Sequence, residues 1–344
     1  MIPVNVITGF LGSGKTTLLR EVLADPSCAD SAVIINEFGE VGLDHLLVEE
    51  IEEGVLLLES GCICCTIRSD LQDTIRSLQK RVAAGAIKRF DRLFIETTGI
   101  ADPAPIASTL IADPLFRSQF RLGNIICLVD ATSGLEVLGR HAESRKQIVV
   151  ADRLLVSKTD MVASESVQAL EQVVRNLNPA ALVSSSTGRS FNVAQLIAED
   201  LGSDIHRTAE IRRWIEPHEP KYSPPARHHG HAEHGAHGIT SFVMRYDQPI
   251  DWIAFGIWLT ALLHAHGTRV LRVKGILHVR ESRTPVIIHG VQHVVHPPMH
   301  LEQWPDEDRS SKIVFITLGI SEAVIRESLD RLMNTARHIR GGNT

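Results

Sequence analysis

Residues 4–23, VNVITGFLGSGKTTLLREVL, decide how the rest of the chain is read. Within them GFLGSGKT, Gly9 to Thr16, fits the spacing G-x-x-x-x-G-K-[ST], with the β-rich run VNVIT before it and the helical run TTLLREVL after it. Glycines there let successive backbone N–H groups turn inward around phosphate oxygens, at a helix N-terminus whose dipole also favours negative charge. Lys15 is placed to reach β- and γ-phosphates and the Thr16 hydroxyl to take a position on Mg2+. Gly9, Gly12, Ser13, Gly14, Lys15, Thr16 and Thr17 are therefore the expected phosphate-binding set, with Lys15 also catalytic. A chance glycine turn would not carry the correct flank on both sides.

Outward from this segment, short apolar β-rich runs alternate with helical patterns through the first two hundred residues, the signature of a parallel sheet wrapped by helices. Strands are predicted at Pro3–Thr8, Ala32–Asn36, Val55–Leu58, Arg92–Glu96, Asn124–Asp130, Arg153–Ser157 and Ala181–Ser184. Leu71, Ile75, Leu78 and Val82 share one helical face, as do Val167, Leu170, Val174 and Leu177. From about Glu216 the chain turns Pro-, Gly- and His-rich, then resumes an apolar pattern: a strand in SFVMRY, a helix in DWIAFGIWLTALLHAH, and strands in TRVLRVKGILHV, TPVIIHGVQHVV and KIVFITLG. A closing helix is predicted over Glu322–Met333. The expected organisation is an α/β P-loop domain over residues 1–210, a linker or mobile loop over 211–238, and a smaller α+β domain with an antiparallel sheet over 239–337.

At the end of RLFIETTG's strand, Glu96 is the expected acid beside the phosphate loop, and Gly99 can approach a γ-phosphate through its backbone. After RLLVS comes SKTD, Ser157 to Asp160, resembling the N-K-x-D element that reads guanine. Asp160 would accept from the ring N–H and exocyclic amine, and the Lys158 stem would lie along the base; Ser157 stands where Asn is usual. SSSTG, Ser184 to Gly188, is placed to close over the base.

Three of the five cysteines, Cys62, Cys64 and Cys65, fall within four positions. Adjacent cysteines make a strained disulfide and one thiol would be left over, so the cluster reads as a thiolate site for Zn2+, Co2+ or another thiophilic divalent ion. Three thiolates do not complete a tetrahedron around zinc. Glu37 and Glu40, in INEFGEVGLD, offer a further ligand or a water-positioning catalytic acid, which would link the metal site to the nucleotide site; exposed loop acids are the competing reading. Cys127, in NIICLVD, is expected to be a small buried side chain, and Cys28 lies in an expected loop with no role.

GFLGSGKTTLL, NEFGEVGLD, GCICC, ETTGIADPAP and SKTD, in that order, resemble the CobW-type family of P-loop GTPases, and RVKGILHV, VIIHGVQHVVH and KIVFI resemble its C-terminal domain. The likeness covers nearly the whole chain. It implies a GTP-driven metallochaperone or metal insertase, with Glu96 as the strand-end acid, Mg2+ on Thr16, Zn2+ or Co2+ on Cys62, Cys64 and Cys65, and a client metalloprotein as recipient.

His228, His229, His231, His234 and His237 crowd the linker and read as a metal-gathering arm, against the alternative of an inert solvated stretch. His289, His293, His296 and His300 read as ordinary packing or surface residues, against the alternative of a docking or metal role. With a net charge of −6, the composition gives no sign of a nucleic-acid surface, and no apolar run reaches the length that crosses a bilayer. The N-terminus MIPVNVITGF lacks the basic region and cleavage site of a signal peptide, so a cytoplasmic protein with reduced thiols and no membrane partner is expected. Two rival functions remain at this stage: a nucleotide-dependent activator or folding partner of one metalloenzyme, and a small-molecule phosphotransferase with a structural zinc.

Overall fold

Strands buried on both faces are uniformly apolar, and that is how the first sheet is built. In the computed structural model, which describes residues 1–37, 55–59, 66–186, 190–197, 238–280 and 282–341, seven strands form one sheet: β1 (Ile2–Gly9), β2 (Ser31–Glu37), β3 (Val55–Glu59), β4 (Arg92–Glu96), β5 (Phe120–Asp130), β6 (Arg153–Ser157) and β7 (Leu182–Ser185). They lie in the order β3-β2-β4-β1-β5-β6-β7, and every pairing is parallel. All residues of β4 and β6 are buried. β1 sits at the centre between β4 and β5, so the chain leaves it at the point where successive connections turn to opposite sides, the crevice in which such sheets bind ligands.

Helices α1 (Lys15–Ala24), α2 (Thr66–Ala83), α3 (Ala104–Ala112), α4 (Pro114–Gln119), α5 (Gly134–Arg140), α6 (Ala142–Val150), α7 (Ser164–Leu177) and α8 (Val193–Leu196) accompany this sheet. The predicted helical faces are the buried ones: Leu71, Ile75 and Leu78 in α2, Leu170 and Val174 in α7. Leu18, Leu19 and Val22 of α1 pack with Ile7, Val33, Phe94, Ile126 and Leu128 of the sheet. Burying each such side chain contributes about 1.5–3 kcal/mol, which anchors the helix that follows the phosphate loop.

The chain divides into two units, one of Met1–Arg175 with Ala181–Gly202 and one of Asn176–Ala180 with Ser203–Thr344. The second contains β8 (Ile239–Tyr246), α9 (Trp252–His266), β9 (Val270–Leu277), β10 (Val286–Val291), β11 (Val294–Val295), β12 (Met299–His300), β13 (Ser311–Leu318) and α10 (Glu322–Gly341). Its strands run β11-β10-β9-β13-β8, with β12 on β10, and all pairings are antiparallel. Asp251 caps α9 by accepting from the Ala254 N–H at 3.1 Å. Phe255, Trp258, Leu259 and Leu263 of that helix join Ile325 and Leu329 of α10 on the sheet, and the Trp258 indole donates to Ser328 Oγ at 2.9 Å to tie the two helices together. Of the histidines in this unit, the rings of His289 in β10 and His296 just after β11 lie 6.0 Å apart, and His293 Nδ1 is 2.9 Å from the Leu263 carbonyl.

Three sequence expectations need correction. The closing helix, predicted for Glu322–Met333, continues to Gly341; no glycine or proline stands between Met333 and Gly341 to break it. β5 starts at Phe120 rather than Asn124, because Ile2 and Pro3 pair with Phe120 and Arg121 despite their polar surroundings. Cys28, expected in a loop, instead closes the short helical turn Pro26–Cys28, is buried, and its sulfur lies 3.4 Å from Arg92 Nη1. No helix among the described residues is long and apolar enough to cross a membrane. The expected linker, 211–238, lies outside the described residues except for Gly238.

Candidate functional site

β1 ends on Gly9, and three glycines of the following loop occupy the left-handed half of backbone space: Gly9 at φ 140°, Gly12 at 73° and Gly14 at 96°. At Gly9 a side chain is excluded by space as well, since a Cβ would stand 2.5 Å from the Leu128 carbonyl oxygen and 2.7 Å from Ser13 Oγ. Gly14 is the N-cap of α1, and Lys15 is its first residue. Lys15 is only 9% exposed, with Nζ donating to the carbonyls of Gly9 at 3.1 Å and Phe10 at 3.2 Å. Its charge is thereby held inside the loop at a helix N-terminus. Ser13 Oγ is buried and finds no partner among the described residues. A buried hydroxyl without a partner, ringed by glycine backbone and one lysine, is a donor set that a phosphate oxygen satisfies.

The parallel register brings the strand-end acid to the same place. Ile7 of β1 pairs with Glu96 of β4, and Thr16, one residue into α1, donates from Oγ1 to Glu96 Oε1 at 2.9 Å. Glu96 is 5% exposed. A hydroxyl and a carboxylate together at the head of the phosphate loop are hard oxygen donors of the kind Mg2+ takes. Next along the chain, the Thr97 N–H donates to the Ile7 carbonyl and Thr97 Oγ1 to Thr8 Oγ1, both at 2.9 Å. Gly99 then packs directly on the phosphate loop, since a Cβ there would fall 2.6–2.7 Å from Leu11 Cδ2, Cα and N.

On the other side of β1, the base-reading candidates follow β6. Ser157 is buried, and its hydroxyl donates to the Ser13 carbonyl at 2.7 Å, fastening this strand end to the phosphate loop. The replacement of Asn by Ser thus leaves a residue with a positioning contact of its own. Lys158 adopts a left-handed conformation, φ 57°, and its ammonium meets Asp130 Oδ2 at 2.6 Å. Burial raises the Asp130 carboxyl, but hydrogen bonds from Lys158 and Thr132 outweigh it and hold the group below its ordinary value of 3.8. Thr159 Oγ1 donates to the Ser186 carbonyl at 2.8 Å. Asp160 is exposed in the turn Thr159–Met161, where a base could reach it. Asp130 went unnoticed in the sequence; its signal was an acid at the end of β5, beside the strand carrying Ser157, which is its register partner.

The metal-site candidates are only partly covered. Cys62, Cys64, Cys65, Glu40, Gly188 and the linker histidines lie outside the described residues, as does the side chain of Glu37. The backbone nonetheless sets Glu37, the last residue of β2, beside Glu59, the last of β3, in parallel register. Ile35 pairs with Glu96 on the other flank of β2. In sequence, the cysteines occupy the link between β3 and α2. Among the described residues no group of three or more His, Cys, Asp or Glu side chains could hold a metal ion.

Comparison with known proteins gives the family. Residues 3–185 match the model of the CobW/HypB/UreG nucleotide-binding domain, and residues 239–333 match that of the cobalamin synthesis protein cobW C-terminal domain. The zinc chaperone YjiA of Escherichia coli is 34% identical over 94% of this chain and 96% of its own length. The zinc chaperone CobW of a Sinorhizobium species is 27% identical over 96% and 97%. The crystal structure of Zn(II)-bound YjiA GTPase superposes with a TM-score of 0.69 at 29% identity, over 96% of this chain and 98% of that one. On the fold, the phosphate loop and these matches, the chain belongs to the CobW/HypB/UreG family, with the cobW type of C-terminal domain.

Proposed function

We propose that the chain hydrolyses GTP and uses the nucleotide cycle to take up zinc and release it to a client metalloprotein in the cytoplasm. The observation that carries the reading is the 2.9 Å contact between Thr16 Oγ1 and Glu96 Oε1, residues 80 apart in sequence, which supports a triphosphate site built from the phosphate loop and the end of β4. Lys15 and the loop amides would bind and orient the β- and γ-phosphates, and Asp160 with Lys158 would select guanine. Mg2+, held by the Thr16 hydroxyl with Glu96 nearby, would neutralise charge on the phosphate oxygens. Glu37 or Glu40 would position the attacking water, whose oxygen bonds to the γ-phosphorus as the bond to the β–γ bridging oxygen breaks, giving GDP and phosphate.

The cargo site in this reading is Cys62, Cys64 and Cys65, with Glu37 or Glu40 as a further ligand. Two features support its linkage to the nucleotide: β2 lies next to β4 and β3, and Glu37 and Glu59 end their strands side by side. Zinc is favoured by the names of the relatives, and the same thiolates would accept Co2+. The histidines of residues 228–237 would gather the ion first. The test is a zinc titration of the full chain with Mg2+ and either GDP or a non-hydrolysable GTP analogue, repeated on Cys64→Ser and Cys65→Ser. A markedly tighter zinc site with the analogue, lost in both variants, is expected; equal affinity under the two nucleotides would overturn the linkage.

One relative favours a second reading: a Schizosaccharomyces pombe protein, 34% identical over 58% of this chain, is named a zinc-regulated GTPase metalloprotein activator. In that reading the client is switched on by the nucleotide-bound protein and the metal is incidental. Client activation that survives Cys64→Ser and Cys65→Ser would select it.

A further inference from the structure

Helix α6 has no part in the motifs, yet it touches both sides of the phosphate crevice. Its N-cap His141 sets its ring 4.5 Å from that of Phe10 in the phosphate loop. One and a half turns on, Gln147 is fully buried at 0% exposure. Its Nε2 donates to two backbone carbonyls of the segment after β4, Gly99 at 3.2 Å and Ala101 at 3.0 Å. Two carbonyl acceptors can be satisfied only by the amide nitrogen, so the chemistry fixes which end of the side chain points there. The other end, Oε1, is buried with no partner among the described residues. A methionine would fill the same space without that cost, so packing alone does not account for a glutamine here.

We propose that Gln147 is a positioning residue for the terminal phosphate, holding Gly99 and Ala101 so that the segment after β4 meets the phosphate loop in the arrangement that suits a triphosphate. This role rests on the GTPase reading above. Gly9–Thr17 would cradle a diphosphate, whereas Gly99 lies three residues beyond Glu96 and packs against Leu11, where its segment would meet a third phosphate. Gln147 would therefore set the preference for GTP over GDP and leave GDP binding almost untouched. α6 also leads through Ala151 and Asp152 into β6, so the same helix ties the terminal-phosphate segment to the strand that carries Lys158 and Asp160.

The experiment compares wild type with Gln147→Met in the full chain. Calorimetry gives the affinities for GDP and for a non-hydrolysable GTP analogue, both with Mg2+, and steady-state assays give GTP turnover. Losing two buried hydrogen bonds predicts analogue binding about tenfold weaker or more, with GDP binding changed less than about twofold. Amide exchange over residues 98–102 should also quicken in the analogue-bound form. Equal weakening of both nucleotides, or no change in their ratio, would overturn the role and leave Gln147 as a packing residue. Should the Met variant fail to fold, Gln147→Glu keeps the shape and sets a carboxylate against the two carbonyls; it must show the same loss of discrimination, and equal loss for both ligands would refute it. A wild-type chain that binds neither nucleotide would remove the GTPase reading itself, a result separate from a wild type and a variant that discriminate alike.

Discussion

Replacing Gly99 with alanine adds a methyl group where the chain has no room for one. The new Cβ would lie 2.7 Å from both the Cα and the N of Leu11 and 2.6 Å from its Cδ2. The Leu11 side chain is 63% exposed and can swing aside, but its backbone belongs to the phosphate loop. Ordinary contact begins at 3.4 Å, so the two segments must part by 3.4 − 2.7 = 0.7 Å. Misplacing reacting groups by about 1 Å costs on the order of 10²-fold in rate. A drop in GTP turnover of roughly 10- to 100-fold is therefore expected. Overpacking of this kind also costs about 1–3 kcal/mol of stability, a fall of several degrees in Tm. Turnover assays and a thermal melt read the two effects, and Gly139→Ala provides the control, since Gly139 lies in α5 with open space around it and no positive φ. There the melt should stay the same or rise slightly, because alanine is the better helix former. A Gly99→Ala protein with wild-type turnover and wild-type Tm would show that the close approach of Gly99 to the phosphate loop is not what the site depends on.

Four further outcomes follow from the same geometry. Glu96→Gln keeps the shape but removes the charge beside Thr16, and Mg2+-dependent GTP hydrolysis should fall on the order of 10²-fold while the melt changes little; unchanged turnover would place the essential acid elsewhere. Asp160→Asn exchanges an acceptor oxygen for a donor facing the base, so GTP binding should weaken about 10- to 100-fold and the advantage of GTP over xanthosine triphosphate should shrink in competition assays. Because the Asp130 carboxyl is held below 3.8, its pairing with Lys158 stabilises the folded site above that value and is lost as pH falls through the lower, folded-state value. The contribution of this pair to GTP affinity should thus be flat over roughly pH 5–8 and decline only under stronger acid, which a pH series on wild type and Asp130→Asn would reveal. Burial pushes the Cys127 thiol up to about 12, against a smaller opposing pull from Lys15, and Cys28 is equally buried; peptide mapping after iodoacetamide treatment at pH 8 should find both unmodified until the chain unfolds.

Much of the first unit could be read without coordinates. β4 and β6 begin and end at the residues predicted, Arg92–Glu96 and Arg153–Ser157. Parallel strands sandwiched between helices have to be apolar on both faces, and such runs stand out wherever they occur. The phosphate loop was equally legible, since its glycines answer a local demand: φ values of 140°, 73° and 96° within six residues admit little else. In the second unit the run DWIAFGIWLTALLHAH was legible as a helix, and α9 begins one residue into it, after the Asp251 cap. Where a local signal was weak, as in the polar stretch opening β5, the prediction stopped short.

What the chain by itself determined, then, were the elements and the glycine-lined turn, because their causes act over a few residues. Strand order, the meeting of Thr16 with Glu96, the bond from Ser157 to the Ser13 carbonyl 144 residues away, and the grip of Gln147 on Gly99 and Ala101 were decided only by tertiary structure. None of these partners shares a periodic pattern with the other. Parallel pairing aligns the ends of β1, β4 and β6, and the packing of α6 beside them brings in Gln147; only that assembly gives the Thr16 and Ser157 hydroxyls and the Gln147 amide the partners they meet.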